Sequence, residues 1–263
     1  MSSRWALILG ASSGMGEAVS LELARSGFDI FGVHLDRKAT MPHVEDVMAG
    51  IRQAGRQAVF FNVNANDPEA RSQVLEEVAR RLSAEPGSTL GVLMHSLAFG
   101  TLKRFVADDP SEEITPAQMD MTLAVMAHSL VYWTQALVHR RLLERGARVF
   151  AMTSAGSHRA ISTYGAVGAA KAALEAHCRQ LAVELAERGV SVNAIQAGIT
   201  DTPALRKIPV HEHLIQEAER LNPSRRLTAT RDVAGAIAAL CDARAGWITG
   251  TVIRVDGGED IIG

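Results

Sequence analysis

The sequence predicts an α/β fold, a doubly wound parallel sheet of seven strands with helices on both faces. Three observations carry that prediction. Short apolar runs alternate with longer segments of helical periodicity, the runs are mostly apolar throughout, and the first ends in a glycine-rich turn that opens a helix. Alternation of this kind implies parallel strands joined by crossover helices, and strands covered on both faces read as continuous apolar runs.

The first four strands are "RWALILG" (4–10), "FDIFGVHL" (28–35), "RQAVFFNV" (56–63) and "LGVLMHSLA" (90–98). "ARVFAMTS" (147–154), "VSVNAIQAG" (190–198) and "TVIRVDGG" (251–258) complete the seven. Helices are expected near 14–26, 43–54, 67–83, 115–144, 162–188 and 230–242. No repeat, linker or low-complexity tract interrupts the series, so residues 1–263 read as one domain.

Composition narrows the function classes. With 263 residues, 47% apolar and 21% charged, the chain has the material for a full hydrophobic core. A formal net charge of −2 argues against nucleic acid or an anionic membrane as partner. Cys178 and Cys241 lack metal-ligand spacing and read as buried thiols in a reducing compartment. The apolar run Trp5–Leu9 is too short for a signal peptide, and no stretch is expected to reach transmembrane length. The expectation is a soluble, cytoplasmic protein. His211 and His213 have no carboxylate or cysteine partner at metal spacing, and no metal is expected. Met119, Met121 and Met126 read as core packing, and His95 as a satisfied buried histidine or a cofactor contact.

After the first strand, "GASSGMG" places Gly10, Gly14 and Gly16 between strand end and helix start. Glycines there let a pyrophosphate approach bare peptide N–H groups at the positive end of a helix. An acid about 20 residues after such a loop takes the adenine ribose hydroxyls and favours NAD; Asp36 fits that interval, although the equivalent place counted from Gly27 is His34. Arg37 and Lys38 follow at once and suit a 2′-phosphate, or are solvated charges opening a loop. The expectation is NADPH, with NADH the alternative.

"GASSGMG" resembles the cofactor loop of the short-chain dehydrogenase/reductase family, a Rossmann-like fold. The likeness continues through "HSLAFG" (95–100), "TSAGS" (153–157), Tyr164 with Lys171, "VNAIQAGITDTPA" (192–204) and "VDGG" (255–258). It implies that Gly10, Ser12, Ser13, Gly14, Met15 and Gly16 line the pyrophosphate and that Asn62 and Val63 flank the adenine. It further implies that Ser96, Leu97, Ala98 and Gly198 border the cofactor, that Ile199 meets the nicotinamide carboxamide, and that Thr202 lies near the phosphates. In most of the family, tyrosine precedes lysine by four residues; the lysine holds the nicotinamide ribose and lowers the tyrosine pKa, and the tyrosine protonates the substrate oxygen.

Here position 167 is valine and the tyrosine is Tyr164, seven before Lys171. Moving it three residues shifts it about 4.5 Å towards the helix start. That suits reduction of a 2-enoyl thioester, in which hydride adds to the β-carbon and charge builds on the distant thioester oxygen. The pattern is similar to that of the divergent enoyl-acyl-carrier-protein reductase branch. Met126 stands near the place where the common branch has a catalytic asparagine, and Ser154 where well-known enoyl reductases have a second tyrosine. Tyr164, Lys171 and Ser154 are thus the candidate catalytic residues. The resemblance further implies a mobile substrate lid near 203–223, an acyl thioester substrate on acyl carrier protein or coenzyme A, and a homotetramer. Arg206, Lys207, Arg220, Arg225 and Arg226 suit an acidic carrier or form a solvated face. A carbonyl reductase of the same fold and a weakly catalytic nucleotide sensor are the alternatives.

Overall fold

In the computed structural model, which describes residues 3–262, the apolar runs form seven strands. They are β1 (Arg4–Leu9), β2 (Phe28–His34), β3 (Ala58–Asn62), β4 (Thr89–His95), β5 (Leu143–Ser154), β6 (Ser191–Ala197) and β7 (Val252–Val255). All neighbours pair in parallel, in the order β3-β2-β1-β4-β5-β6-β7. The order reverses between β1 and β4, and the crevice beyond the carboxyl ends of those two strands is where such sheets bind ligands.

The helices are α1 (Gly14–Arg25), α2 (Met41–Gln53), α3 (Pro68–Ala84), α4 (Pro116–Leu123), α5 (Ser129–His139), α6 (Gly165–Leu185), α7 (His211–Leu221) and α8 (Thr230–Leu240). Alternate residues of the buried strands feed two cores. Trp5, Leu7, Leu9 and Leu93 pack with Leu130, Trp133, Ala170 and Leu174 on one face. Ala6, Ile8, Ile30 and Met94 pack with Val19, Leu23, Val233 and Ile237 on the other. The Trp5 and Phe31 rings stack at 4.1 Å, worth about 0.5–1.5 kcal/mol beyond the area they bury.

Two expectations are corrected. The helix expected over 115–144 is three pieces: α4, a π-helical segment over Ala124–His128, and α5, which ends at His139. Thr115 and Gln118 form a capping box at its start. At its end Arg141 turns to φ +56, a left-handed conformation that stops a helix, and β5 then begins at Leu143 instead of 147. The expectation that no stretch reaches transmembrane length also fails, by length and composition. Pro116–His139 spans 24 residues and contains an 18-residue window with a mean hydropathy of 1.2. Its apolar face is core: Met126, Ala127, Leu130, Trp133 and Leu137 are all buried against the sheet and α6.

Candidate active site

The glycine loop closes β1 and caps α1. A Cβ built on Gly10 would lie 2.5 Å from the Ser96 carbonyl oxygen, and one on Gly16 only 1.9 Å from the Gly10 oxygen. Gly10 and Gly14 also have φ of +87° and +58°. Backbone without side chains is therefore obligatory here, and it leaves a cradle at a helix N-terminus that fits a pyrophosphate. Thr202 lies against this loop, its Cβ 3.6 Å from the position a Gly14 Cβ would take. Ser96 donates its N–H to the Leu9 carbonyl at 2.9 Å, and the Leu97 side chain borders Gly10. Ser12 is buried and Ser13 exposed, Met15 is half-buried, and Ala98 is exposed on the loop after β4.

Strand pairing brings Asp36 to this loop. Its N–H donates to Asn62 Oδ1 and its carbonyl accepts from Asn62 Nδ2, both at 3.0 Å. Its carboxylate accepts from Thr40 Oγ1 at 2.8 Å and meets His34 Nδ1 at 3.0 Å. Burial alone would raise its pKa, but hydrogen bonds with Ser12, Thr40 and His34 outweigh that and hold it below the ordinary carboxylate value. Sequence spacing could not show this cluster, because Ser12, Asp36 and Asn62 meet only when β1, β2 and β3 align. Arg37 and Lys38 are exposed at the start of the next turn, while Val63 packs on the core and donates its N–H to the His34 carbonyl.

Beyond β5, Tyr164 occupies the N-cap of α6, one residue outside the helix expected to contain it. Thr163 before it adopts φ +62°, costing a β-branched residue about 1–2 kcal/mol. The Tyr164 ring lies on Gly156, where a Cβ would come within 2.5 Å of it, and its hydroxyl is 3.3 Å from Ser154 Oγ. Burial raises the Tyr164 pKa, with the Ser154 hydrogen bond pulling the other way. The lowering by lysine expected from family likeness does not dominate here, and the hydroxyl is a protonated donor at neutral pH.

Lys171, two turns into α6, is buried and donates from Nζ to the Met152 carbonyl at 2.7 Å. Burial pushes its pKa down to about 8 against an upward pull from Glu175, which accepts from Thr153 Oγ1 at 2.6 Å. Val167 is buried at the position the common branch gives to tyrosine, and Met126 is buried in the π segment. The glycine cradle, the Tyr–Ser donor pair and the buried lysine thus all gather at the carboxyl end of the sheet.

The loop after β6 is tied to the C-terminal turn. The Ile199 N–H donates to Glu259 at 3.0 and 3.1 Å, from the C-terminal turn. Gly198 lies beside the same carboxylate, whose pKa is raised by burial and by Asp256 and Asp260, against the Ile199 hydrogen bond. The segment 203–223 buries Leu205, Ile208 and Ala218, and Asn222 anchors its end by donating to the Asp256 carbonyl at 2.8 Å. Of its cations, Arg206 pairs with Asp201, and nearby Arg226 with Asp232. Among the described residues no group of three His, Cys, Asp or Glu side chains is placed to hold a metal, and both cysteines are buried free thiols.

A family model described as enoyl-(acyl carrier protein) reductase matches residues 10–259. A 1-cyclohexenylcarbonyl-CoA reductase of Streptomyces collinus is 31% identical over 258 residues, 97% of this chain and 86% of that protein. A 3-oxoacyl-[acyl-carrier-protein] reductase of Aggregatibacter actinomycetemcomitans is 29% identical over 256 residues, 96% and 97% of the two chains. The structure of an NADH-dependent enoyl-[acyl-carrier-protein] reductase from Aquifex aeolicus superposes with a TM-score of 0.85 at 23% identity, covering 99% of this chain and 97% of that one. That superposition shows the shared fold.

Proposed function

The chain belongs to the short-chain dehydrogenase/reductase superfamily, in the family described as enoyl-(acyl carrier protein) reductase, and from that premise we propose that it reduces the carbon–carbon double bond of a trans-2-enoyl thioester. Membership makes it an NAD(P)H-binding oxidoreductase; the substrate is our reading. The observation that carries it is the position of Tyr164 at the N-cap of α6, seven residues before Lys171, with buried Val167 in the usual tyrosine place.

A bound reduced nicotinamide supplies the hydride. The glycine cradle with Thr202 would hold its pyrophosphate, Asn62 and Val63 the adenine, and Lys171 the nicotinamide ribose. Ser96, Leu97 and Gly198 would border it. Tyr164 donates a hydrogen bond to the thioester oxygen as enolate charge develops there, and its raised pKa keeps that proton in place until it is needed. Ser154, 3.3 Å away, orients the hydroxyl. Such a donor must stand away from the carbon that receives hydride, which is what a tyrosine displaced to the helix start provides.

For the cofactor, a carboxylate held by Ser12, Thr40 and His34, on a backbone clamped by Asn62, supports NADH over the NADPH that Arg37 and Lys38 suggest. Segment 203–223 serves as the substrate lid. By family likeness we also propose a homotetramer acting in the cytoplasm, on an acyl group carried by acyl carrier protein or coenzyme A.

The Ser154–Tyr164 contact favours one second reading, since a serine–tyrosine pair also serves carbonyl reduction, as in a 3-oxoacyl reductase. Isotope tracing separates the two. With NADH dideuterated at C4, the proposed reaction puts deuterium on C3 of a saturated thioester and a solvent proton on C2. Deuterium only on a carbinol carbon formed from a 3-oxoacyl thioester would replace the first reading by the second.

A further inference from the structure

His95 closes β4 and has no exposed surface. Its Nε2 lies 2.8 Å from Ser129 Oγ, and Ser129 donates its only proton to the Val125 carbonyl at 2.7 Å. With that proton on Val125, Ser129 Oγ is free to accept from His95, the arrangement that has the imidazole proton on Nε2. Nδ1 is wholly buried and makes no hydrogen bond among the described residues, and in that arrangement it is a bare acceptor. Burial, aided by the Lys171 charge, pushes the ring's pKa down to about 3 against the opposing pull of the His95 and Val125 backbone carbonyls, and so holds it neutral. Buried acceptors are normally satisfied by protein or by an ordered water.

The matching donor stands at the same end of the sheet. His95 pairs across with Ala151 of β5, and Lys171 bonds the carbonyl of Met152, the next residue on that strand. That bond uses one of three ammonium protons. Leu93, two residues before His95 and so on the same sheet face, packs in one core with Ala170 and Leu174, which flank Lys171 on α6.

We propose that His95 is a positioning residue for Lys171: through one buried water its Nδ1 accepts a hydrogen bond from the ammonium, keeping it charged and aimed. The titratable groups facing Lys171 are Glu175 and Cys178 from its own helix and His95 from β4. Glu175 favours the charged form, while the Cys178 thiol is pushed up to about 12 and stays neutral. His128 of the π segment is paired with His177 at 3.0 Å. The inference rests on Lys171 as the cofactor anchor of the proposed reductase, whichever double bond is reduced.

The test follows NADH affinity by fluorescence titration across alkaline pH, together with ¹⁵N-histidine NMR of the full chain. NADH binding weakens as Lys171 loses its proton. Removing the acceptor destabilises the ammonium, so His95→Leu moves that midpoint down by about one pH unit, and His95→Asn, which keeps an acceptor, restores it. Ser129→Ala, a milder change that frees the tautomer, moves it in the same direction. NMR shows the neutral Nε2–H tautomer from roughly pH 5 to 9. A proton on Nδ1, or an unmoved midpoint in Ser129→Ala, overturns the proposal, and both readouts stand if His95→Leu does not fold. Failure of the wild-type chain to bind NADH or NADPH would instead remove the reductase reading, with the NMR spectrum still deciding the tautomer.

Discussion

Replacing Asp36 by asparagine or serine should turn the cofactor preference round. In the structure its carboxylate is anchored by Thr40 and His34 and hydrogen-bonded with Ser12, and its backbone is clamped by Asn62. A carboxylate has about four lone-pair sites, so capacity remains for ribose hydroxyls. A hydrogen bond to a charged group is worth about 1.5–3 kcal/mol, so its loss should weaken NADH binding by about 10- to 100-fold. The same carboxylate repels a 2′-phosphate. Two unit charges about 4 Å apart interact by about 1 kcal/mol in bulk water and about 4 kcal/mol near a protein surface. Asp36 is half-buried, so relief of that repulsion should strengthen NADPH binding by about tenfold or more. Together the NADPH-to-NADH affinity ratio should rise by about 10²- to 10³-fold. Fluorescence titration of both cofactors on wild type and Asp36→Asn measures it, with Arg37→Ala as the control that leaves NADH binding nearly unchanged. Tighter wild-type binding of NADPH, or a ratio indifferent to Asp36→Asn, would refute the reasoning.

Three further outcomes are expected. Tyr164→Phe should lower kcat by about 10²- to 10⁴-fold while NADH affinity stays within a few-fold, checked by steady-state kinetics beside binding titration. Gly16→Ala puts a methyl 1.9 Å from the Gly10 carbonyl, so the loop must shift; loss of cofactor binding and a lowered Tm are expected, by about 1–3 kcal/mol of overpacking or more. Lys171 has a folded-state pKa of about 8 against an ordinary 10.5, so between those values the unfolded chain binds more protons. This group therefore adds stability as pH rises from about 8 to 10.5, while cofactor affinity falls over the same window. Chemical denaturation and NADH titration of wild type and Lys171→Met should show the opposed trends in wild type alone.

The seven strands were legible because both sheet faces are covered, which makes each run apolar throughout. The glycine loop and the Tyr164–Lys171 spacing were legible because local backbone demands and helix periodicity fix residue types at short range. What escaped depends on contacts between distant segments or on local strain. The Ser12–Asp36–Asn62 cluster needs three aligned strands, and Glu259 reaches Ile199 across 60 residues. The π segment is hidden because hydrophobic spacing reads through one widened turn, and the only hint was polar His128 and Ser129 in an otherwise apolar stretch. The left-handed Thr163 carries no sequence signal, since nothing about threonine favours φ > 0.

The most direct test of enoyl reduction is loss of nicotinamide absorbance with a short trans-2-enoyl thioester and, in parallel, a 3-oxoacyl thioester, each with NADH. Oxidation with the enoyl substrate and little with the oxo substrate is the expected result. Turnover confined to the oxo substrate would contradict it, and would mean that Tyr164, displaced as it is, protonates a carbonyl oxygen.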